Sequence, residues 1–325
     1  MALSVNLAAI AAAAAIAASS AFAQGYPDRT ITMIVPFSDG GPTDTVGRLI
    51  AEKMSADLGQ QIIVQNVGGA GGTLGAGQMA EAEADGYTIL LHHIGMATSA
   101  TLYRNLAYKP LEAFEYVGLA TEVPMTIVAR ADFEPTDMAS LIACVKENAD
   151  TITMANAGIG SSSHLCGMLF MQAVEAPIVT MPCKGTGPAM TELLGGQIDI
   201  MCDQPTNTTE QIKGGTIKGY AVTSPARLDI FPDLPTVAEA GIPGVQVSVW
   251  HGIYAPKGTL AEATDRLAAA LQVALADPEI AAKFAELGTA PSAAADATPA
   301  ALKAKLEAEI ARWQPVIETA GVYAD

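Results

Sequence analysis

Short apolar runs and amphipathic stretches alternate along the chain after Tyr26. The first apolar run, Ile31–Phe37, predicts a buried strand, and Thr45–Leu58, with its apolar side chains on one face and Gly59 as its stop, predicts a helix. The order continues with a strand, a helix and a strand: Ile62–Gln65, Thr73–Ala84 and Tyr87–Leu91. This βαβαβ order predicts a parallel sheet with helices on both faces.

The same alternation begins again after a changeover near Leu119–Ile127. The predicted elements alternate helix and strand: Thr136–Ala149 with Thr136 as its cap, Thr151–Ala155, Ser161–Val174, Ile178–Pro182, Gly185–Leu194 and Ile198–Asp203. A plan that occurs twice predicts an α/β protein of two similar lobes, each built on a doubly wound, mostly parallel sheet.

The last part of the chain turns from a predicted strand, Val245–Ala255, to helices. Three amphipathic helices are predicted: Thr259–Ala276, Pro278–Leu287 and Pro299–Thr319. Because an amphipathic face has to be buried, we expect this tail to pack on the first lobe. The chain then crosses between lobes near Leu119–Ile127 and Gln246–Ile253. Lobe 1 would comprise residues 24–123 and 250–325, lobe 2 residues 124–249, and the two crossovers would form a hinge beside a cleft.

The first 23 residues form a segment of their own. Met1–Ala23 is dominated by Ala, contains no Lys, Arg, Asp or Glu, and ends Ala21-Phe22-Ala23, a small-x-small pattern. We interpret residues 1–23 as a secretory signal peptide cut before Gln24, although the usual positive residue near the start is missing. A membrane anchor is the alternative, which so weakly apolar a stretch disfavours. The expected location is the periplasm.

Charge excludes some partners. With 17 Lys and Arg against 34 Asp and Glu, the net charge is −17. Phosphate binding needs clustered basic residues, so we expect no nucleic-acid partner, and anionic membrane surfaces are disfavoured as well. Taken alone, the net negative charge of the chain favours a cationic partner.

Four cysteines lie in the middle third of the chain: Cys144, Cys166, Cys183 and Cys202. Export permits disulfides, and the loop lengths favour pairing 144 with 166 and 183 with 202. Four buried, reduced thiols are the alternative. No pair has C-x-x-C spacing, so we expect no structural zinc, and no other cofactor is predicted.

Four predicted loops are rich in small residues: Ser38–Asp44, Gly68–Gly77, His92–Thr98 and Asn156–Ser163. They follow strands and three of them precede helices, where free backbone N–H groups and the positive end of the helix dipole bind carboxylate or phosphate. The last three loops contain no charged residue, so ligand binding there would use amides and hydroxyls. The alternative interpretation is tight turns and helix caps, including Ser161–Ser163 and Asp44 as caps.

Common enzyme motifs are missing from the sequence. There is no Walker A, no H-E-x-x-H and no G-x-S-x-G. The neighbours Ser163 and His164 face different ways on a helix and do not form a triad. We therefore predict a protein that is not an enzyme; the alternative is an exported hydrolase using Ser161–Ser163 and His164.

Taken in order, several motifs resemble the solute-binding proteins of tripartite tricarboxylate transporters, also called the Bug family. The motifs are Tyr26-Pro-Asp-Arg with Ile34-Val-Pro-Phe-Ser-Asp-Gly-Gly-Pro-Thr-Asp44, Asn66-Val-Gly-Gly-Ala-Gly-Gly72, Asp85-Gly-Tyr-Thr88, Asn156-Ala-Gly-Ile-Gly-Ser-Ser-Ser-His-Leu165, Lys184-Gly-Thr-Gly-Pro-Ala189 with Leu194-Gly-Gly-Gln-Ile-Asp199, and Phe231-Pro-Asp-Leu-Pro-Thr236. Each motif alone is weak, but the ordered set is specific and spans essentially all of the mature chain.

The resemblance implies a two-lobed, type II-like periplasmic binding protein that closes around a small organic carboxylate and delivers it to a membrane permease. The expected protein is a monomer, and its ligand is an amino acid such as aspartate or glutamate, or a C4-dicarboxylate or hydroxy acid. A sensor that docks on a membrane receptor is the alternative to transport.

The resemblance also implies the binding residues. In lobe 1 these are Phe37, Ser38, Gly41, Thr43 and Asp44, and in lobe 2 Ala157, Gly160, Ser161 and Ser162. His92 and Asp203 stand at strand ends where the rest of the ligand is selected, and Asp203 would receive an ammonium or a hydroxyl group. The sequence departs from the family pattern at Pro42, which replaces a common Gly, and at Cys183, where an aromatic residue is frequent.

Overall fold

A computed structural model describes residues 25–324, so the predicted signal peptide lies outside the described residues. The strands are β1 Ile31–Val35, β2 Ile62–Asn66, β3 Thr88–His93, β4 Phe114–Pro124, β5 Thr126–Arg130, β6 Thr153–Asn156, β7 Val179–Pro182, β8 Ile200–Asp203, β9 Ile217–Val222, β10 Ser248–Pro256 and β11 Ala290–Pro291. The helices are α1 Pro42–Leu58, α2 Thr73–Ala80, α3 Gly95–Leu102, α4 Met138–Asn148, α5 Ser162–Val174, α6 Thr186–Leu194, α7 Pro205–Lys213, α8 Ala261–Leu275, α9 Pro278–Glu286 and α10 Pro299–Ala320.

The strands form two sheets, and each sheet is the centre of one α/β lobe. The first sheet has the order β11-β4-β10-β3-β1-β2, and the second has the order β7-β6-β8-β5-β9. Helices α5 and α6 pack on the second sheet, and α1 packs on the first. The predicted two-lobed α/β architecture is confirmed.

The sheets are mixed rather than mostly parallel. Strands β2, β1 and β3 are mutually parallel, and so are β7, β6 and β8, because each set is joined by crossover helices. The remaining pairings are antiparallel: β10 lies between β3 and β4, and β5 lies between β8 and β9. Alternation of strands and helices in the sequence does not reveal the direction of these added strands.

The chain passes between the sheets twice. The first passage runs from β4 to β5, across Pro124–Thr126, and the second runs from β9 to β10. The C-terminal helices return to the first sheet, where α8 and α10 both contact β4 and β11 pairs with β4. The amphipathic tail therefore packs on the first lobe, as its sequence requires. The residue-level lobe boundaries stay a prediction.

Helices α1 and α4 begin at other residues than predicted, because the local capping residues set their first turns. Helix α1 begins at Pro42, not Thr45, with Gly41 as its N-cap, because the fixed φ of proline suits the first helical position. Helix α4 is capped by Asp137 rather than Thr136: its carboxylate accepts from the backbone N–H of Ser140 at 2.8 Å. Six elements lacked a prediction, namely α3, β4, β5, α7, β9 and β11.

One disulfide joins two elements of the second lobe. Cys166 on α5 and Cys202 on β8 are bonded, with their Cα atoms 6.0 Å apart, while Cys144 and Cys183 are free. Both the pairing favoured by loop length and the alternative of four reduced thiols are therefore wrong. Helix α5 packs across β8, so the contact that sets the pairing is tertiary and not visible in loop length.

None of the helices in residues 25–324 combines the length and apolarity that a membrane span requires.

Candidate ligand site between the lobes

The first turns of four helices meet at one small cavity between the lobes. Its empty volume is about 260 Å³, which includes space open to solvent. The residues around it are Phe37, Gly41, Pro42, Thr43, His93, Ala157, Ser162, Thr186 and Gln204. Gly41 is the N-cap residue of α1 and Pro42 and Thr43 begin that helix, Ser162 begins α5, Thr186 begins α6, and Gln204 is the N-cap residue of α7. None of these residues is Lys, Arg, Asp or Glu, so the cavity's electrostatic character comes from helix ends and neutral polar groups.

Both carboxylate oxygens of Asp44 accept hydrogen bonds that hold the lobe 1 loop in place. Its carboxylate accepts from the Gly40 N–H at 3.0 Å, from Asn66 Nδ2 at 2.9 Å and from Arg48 Nε at 2.9 Å. Burial alone would raise the pKa of this carboxyl, but the hydrogen bonds from Arg48, Gly40 and Asn66 together bring it below its usual value. The side chain therefore fixes the turn that presents Gly41 and Thr43 to the cavity.

The three serine hydroxyls of the lobe 2 loop make different contacts. Ser161 caps α5 by accepting from the His164 N–H at 3.3 Å, and Ser163 accepts from the Ala157 N–H at 2.7 Å. Ser162 faces the cavity, and within residues 25–324 its hydroxyl has no hydrogen-bond partner. The His164 ring accepts from the Gly160 N–H at 3.2 Å. The Ser–His side-chain pair that a hydrolase needs is therefore not formed among the described residues.

Asp203 is buried and is not part of the cavity lining. Its Oδ1 accepts from the Gln204 N–H at 2.8 Å, and its Oδ2 accepts from Asn207 Nδ2 at 2.6 Å. The side chain is fully buried, and burial raises the pKa of its carboxyl to about 6. The residue that reaches the cavity from this strand end is the next one, Gln204.

The adjacent histidines at the end of β3 occupy different places. His93 lines the cavity and stacks on Phe37, with ring centroids 4.3 Å apart. His92 lies behind it against Gly72, where an added Cβ would be 2.9 Å from His92 Nε2. His251, on β10, meets Thr43 Oγ1 through its Nε2 at 3.2 Å.

Three hydrogen bonds join the lobes around the cavity. The Ser38 N–H donates to the Lys184 carbonyl at 3.1 Å, Thr98 Oγ1 donates to the Gly160 carbonyl at 2.7 Å, and the Tyr103 hydroxyl donates to the Ile159 carbonyl at 2.8 Å. In each, a lobe 1 group donates to a lobe 2 backbone carbonyl. The structure is therefore that of a closed cleft.

The structure brings together only some of the residues that the sequence suggested. Five line the cavity: Phe37, Gly41, Thr43, Ala157 and Ser162. Ser38 and Gly160 take part in the bonds between lobes, and four others lie outside the cavity lining: Asp44, His92, Ser161 and Asp203. Sequence reasoning missed four lining residues, Pro42, His93, Thr186 and Gln204. The sequence feature that they share is their position, because each lies at a strand end or at the start of a helix.

Within the described residues, no group of three or more His, Cys, Asp or Glu side chains could hold a metal ion.

A family model, the tripartite tricarboxylate transporter family receptor, matches residues 46–322. The chain belongs to this family. The chain is similar to a UPF0065 protein in the TAR-I ttuE-ttuC′ intergenic region of Agrobacterium vitis, with 54% identity over 91% of this chain and 86% of that protein.

Two solved structures that are similar to this chain confirm the periplasmic binding protein fold. The periplasmic binding protein BugD is 49% identical with a TM-score of 0.90, covering 92% of this chain and all of BugD. MatC from Rhodopseudomonas palustris with bound malate is 38% identical with a TM-score of 0.87, covering 90% of this chain and all of MatC. The predicted resemblance to Bug-family receptors is thereby confirmed.

The histidines make the stability of this receptor pH-dependent. Burial lowers the pKa of His92 and of His251 to about 3 and that of His164 to about 4, and it holds the pKa of His93 well below its usual value. A depressed histidine pKa stabilises the fold above pH 6.5, and that contribution is lost as pH falls towards 3. Asp203 acts oppositely, since its raised pKa stabilises the fold below pH 4 and loses this effect as pH rises through 6.

We expect the free energy of unfolding to fall between pH 6.5 and 4.5, because four histidines outweigh one aspartate. In that window the histidines of the unfolded chain take up protons, while the buried rings of the folded protein stay neutral. Urea unfolding at pH 7.5, 6.5, 5.5 and 4.5 measures the slope. A constant or rising free energy over this range would show that the histidines are not held neutral by burial.

Proposed function

We propose that this chain is a periplasmic solute-binding protein that captures a small organic carboxylate between its lobes and delivers it to the permease of a tripartite tricarboxylate-type transporter. One observation carries the ligand class: the first turns of α1, α5, α6 and α7 converge on an enclosed cavity without charged side chains. Helix N-termini stabilise an anion through free N–H groups and their dipoles. A carboxylate fits that environment, whereas a cation does not.

Closure is the proposed capture step. The three bonds between lobes form only when the lobe 2 loop at 156–163 and Lys184 approach lobe 1. A ligand that touches both lobes favours the closed state, because its contacts are complete only there. We propose the predicted boundaries for the lobes, 24–123 with 250–325 and 124–249, and a hinge at the two passages between the sheets.

The proposed ligands are C4-dicarboxylates, including amino and hydroxy acids such as aspartate and malate. Support comes from the uncharged cavity lining at four helix N-termini and from the malate bound to MatC. Export through cleavage before Gln24 would place the receptor in the periplasm, and we propose that it acts as a monomer without a cofactor.

A thermal-shift screen of residues 24–325, unfolded and refolded to remove bound ligand, tests the ligand class. We expect at least one small di- or monocarboxylate to raise the melting temperature, because a ligand that binds only the native state stabilises it by mass action. The methyl ester of the same acid, which lacks the charge, should give no shift. If no carboxylate raises the melting temperature, the proposed ligand class is wrong.

The serine loop predicts two separable effects. Ser162→Ala should weaken carboxylate binding about tenfold with little change in stability, because the hydroxyl facing the cavity loses a ligand hydrogen bond. Ser161→Ala should instead cost about 1 kcal/mol of stability, because it removes the cap of α5. Calorimetric titration and urea unfolding of both variants make the comparison. Equal affinity losses in the two variants would contradict this division of roles.

A further inference from the structure

Gln204 brings an unsatisfied acceptor to the cavity. It is 3% exposed and lines the cavity from lobe 2, yet its Oε1 is buried and has no hydrogen-bond partner among the described residues. The neighbouring Asp203 does not share this state, since both of its oxygens accept hydrogen bonds. A buried acceptor without a partner is costly, so a native site that keeps one is suited to a ligand that supplies the donor.

His93 brings a donor from the other lobe. Its Nδ1 accepts from the Gly95 N–H at 2.9 Å, so in the neutral ring the proton is on Nε2. Nε2 makes no hydrogen bond within residues 25–324. Burial keeps the pKa of the ring far below its usual value, and the ring is therefore neutral. His92 Nε2 is also without a partner, but His92 is not part of the cavity lining.

We propose that His93 and Gln204 select the ligand together, His93 donating from Nε2 to a ligand oxygen and Gln204 accepting at Oε1 from a hydroxyl or ammonium group. This inference rests on the proposed function, and it adds a rule for specificity. Hydroxy and amino C4-dicarboxylates satisfy both side chains. An unsubstituted C4 acid satisfies His93 alone and leaves the Gln204 oxygen unpaired in the closed cleft.

A site built to bind a substrate hydroxyl or amine rejects the analogue that lacks it, because its own polar group is then buried without a partner. Ligand-stripped protein titrated calorimetrically with malate, aspartate and succinate tests this rule. We expect malate or aspartate to bind at least about tenfold more tightly than succinate. Equal affinities for all three acids would overturn the proposal.

Variants at Gln204 assign the discrimination to that side chain. Gln204→Met keeps the length and removes the acceptor, so it should weaken binding of the hydroxy or amino acid, strengthen binding of succinate by removing the unpaired oxygen, and bring the three affinities close together. Gln197→Met, at an exposed glutamine of the same lobe, is the matched control and should keep the discrimination. An equal loss for all three acids in Gln204→Met would mean that Gln204 only shapes the loop, and the proposal would fail.

Two variants separate the nitrogens of His93. The amide oxygen of His93→Asn can replace Nδ1 as the acceptor for Gly95 but supplies no donor at the position of Nε2, so all three acids should bind about tenfold more weakly. His93→Gln places an amide N–H near the position of Nε2 and should restore part of the affinity. Unchanged affinity in His93→Asn, or no recovery in His93→Gln, would remove His93 from the proposal.

The outcomes also separate this inference from the function on which it rests. If the three C4 acids fail to bind while another carboxylate stabilises the protein in the thermal-shift screen, the selection rule is wrong and carboxylate capture stands. If no carboxylate binds at all, both are wrong.

Discussion

A side chain at Gly68 is expected to hold the lobes apart and to weaken carboxylate binding about a hundredfold. Apparent affinity falls in proportion to the population of the closed, binding-competent state. A Cβ at this position would lie 2.8 Å from the Lys184 carbonyl oxygen, across the cleft, and 3.2 Å from the Ser38 backbone nitrogen. These two atoms form one of the hydrogen bonds between the lobes. The open state escapes the clash with Lys184, so the substitution penalises closure more than folding.

Gly68→Val tests this effect by calorimetric titration with the acid that gives the largest thermal shift. Gly77→Val is the matched control, since a Cβ there meets nothing within 4 Å. The control should bind as the parent protein does, and the ligand-free melting temperatures of the two variants should be similar. Parent-like affinity in Gly68→Val would contradict a requirement for the closed cleft.

Loss of the Cys166–Cys202 disulfide is expected to lower the free energy of unfolding by about 3–4 kcal/mol. The bond closes a loop of sequence separation 36, and a crosslink of this span stabilises mainly by restricting the unfolded chain. It also joins α5, whose first turn presents Ser162, to β8, which ends at Asp203 and is followed by Gln204.

Urea unfolding of the double variant Cys166→Ala, Cys202→Ala measures the effect. The control replaces the two free cysteines, Cys144→Ala with Cys183→Ala, and should change stability by less than about 1 kcal/mol because both side chains are partly exposed. A reducing agent should lower the stability of the parent but not of the disulfide-free variant. Equal stabilities for the two double variants would show that the bond does not form in the folded protein.

The two-lobed plan could be predicted because it depends on local patterns. Alternating apolar runs and amphipathic stretches located most strands and helices within a few residues, and small-residue loops after strands marked α1 and α5 as ligand-facing. These features follow from the side-chain period and from capping, which are properties of neighbouring residues. The antiparallel placement of β10 between β3 and β4 depends on segments that are distant in sequence, so local patterns could not predict it.

The details of the site needed tertiary information for the same reason. His92 and His93 point to opposite faces of β3, but the sequence does not show which face borders the cavity. That face is set by the pairing of β10, which places His251 opposite His93. Likewise, Asp203 was the expected selector at its strand end, whereas Asn207 on the following helix engages its carboxylate and Gln204 reaches the cavity.

Net charge was the least informative guide to the ligand. A sum of −17 favours cationic partners, yet the cavity lining contains no charged residue. Local helix ends decide the sign of a ligand in an enclosed site, because exposed charges are screened by solvent and salt.

Small-angle X-ray scattering tests the central claim, capture of a carboxylate by lobe closure, most directly. Ligand-stripped protein comprising residues 24–325 would be measured alone and with a saturating concentration of the acid that gives the largest thermal shift. We predict a smaller radius of gyration in the presence of the acid, and no such change in Gly68→Val. An unchanged radius of gyration at saturation would contradict closure around the ligand.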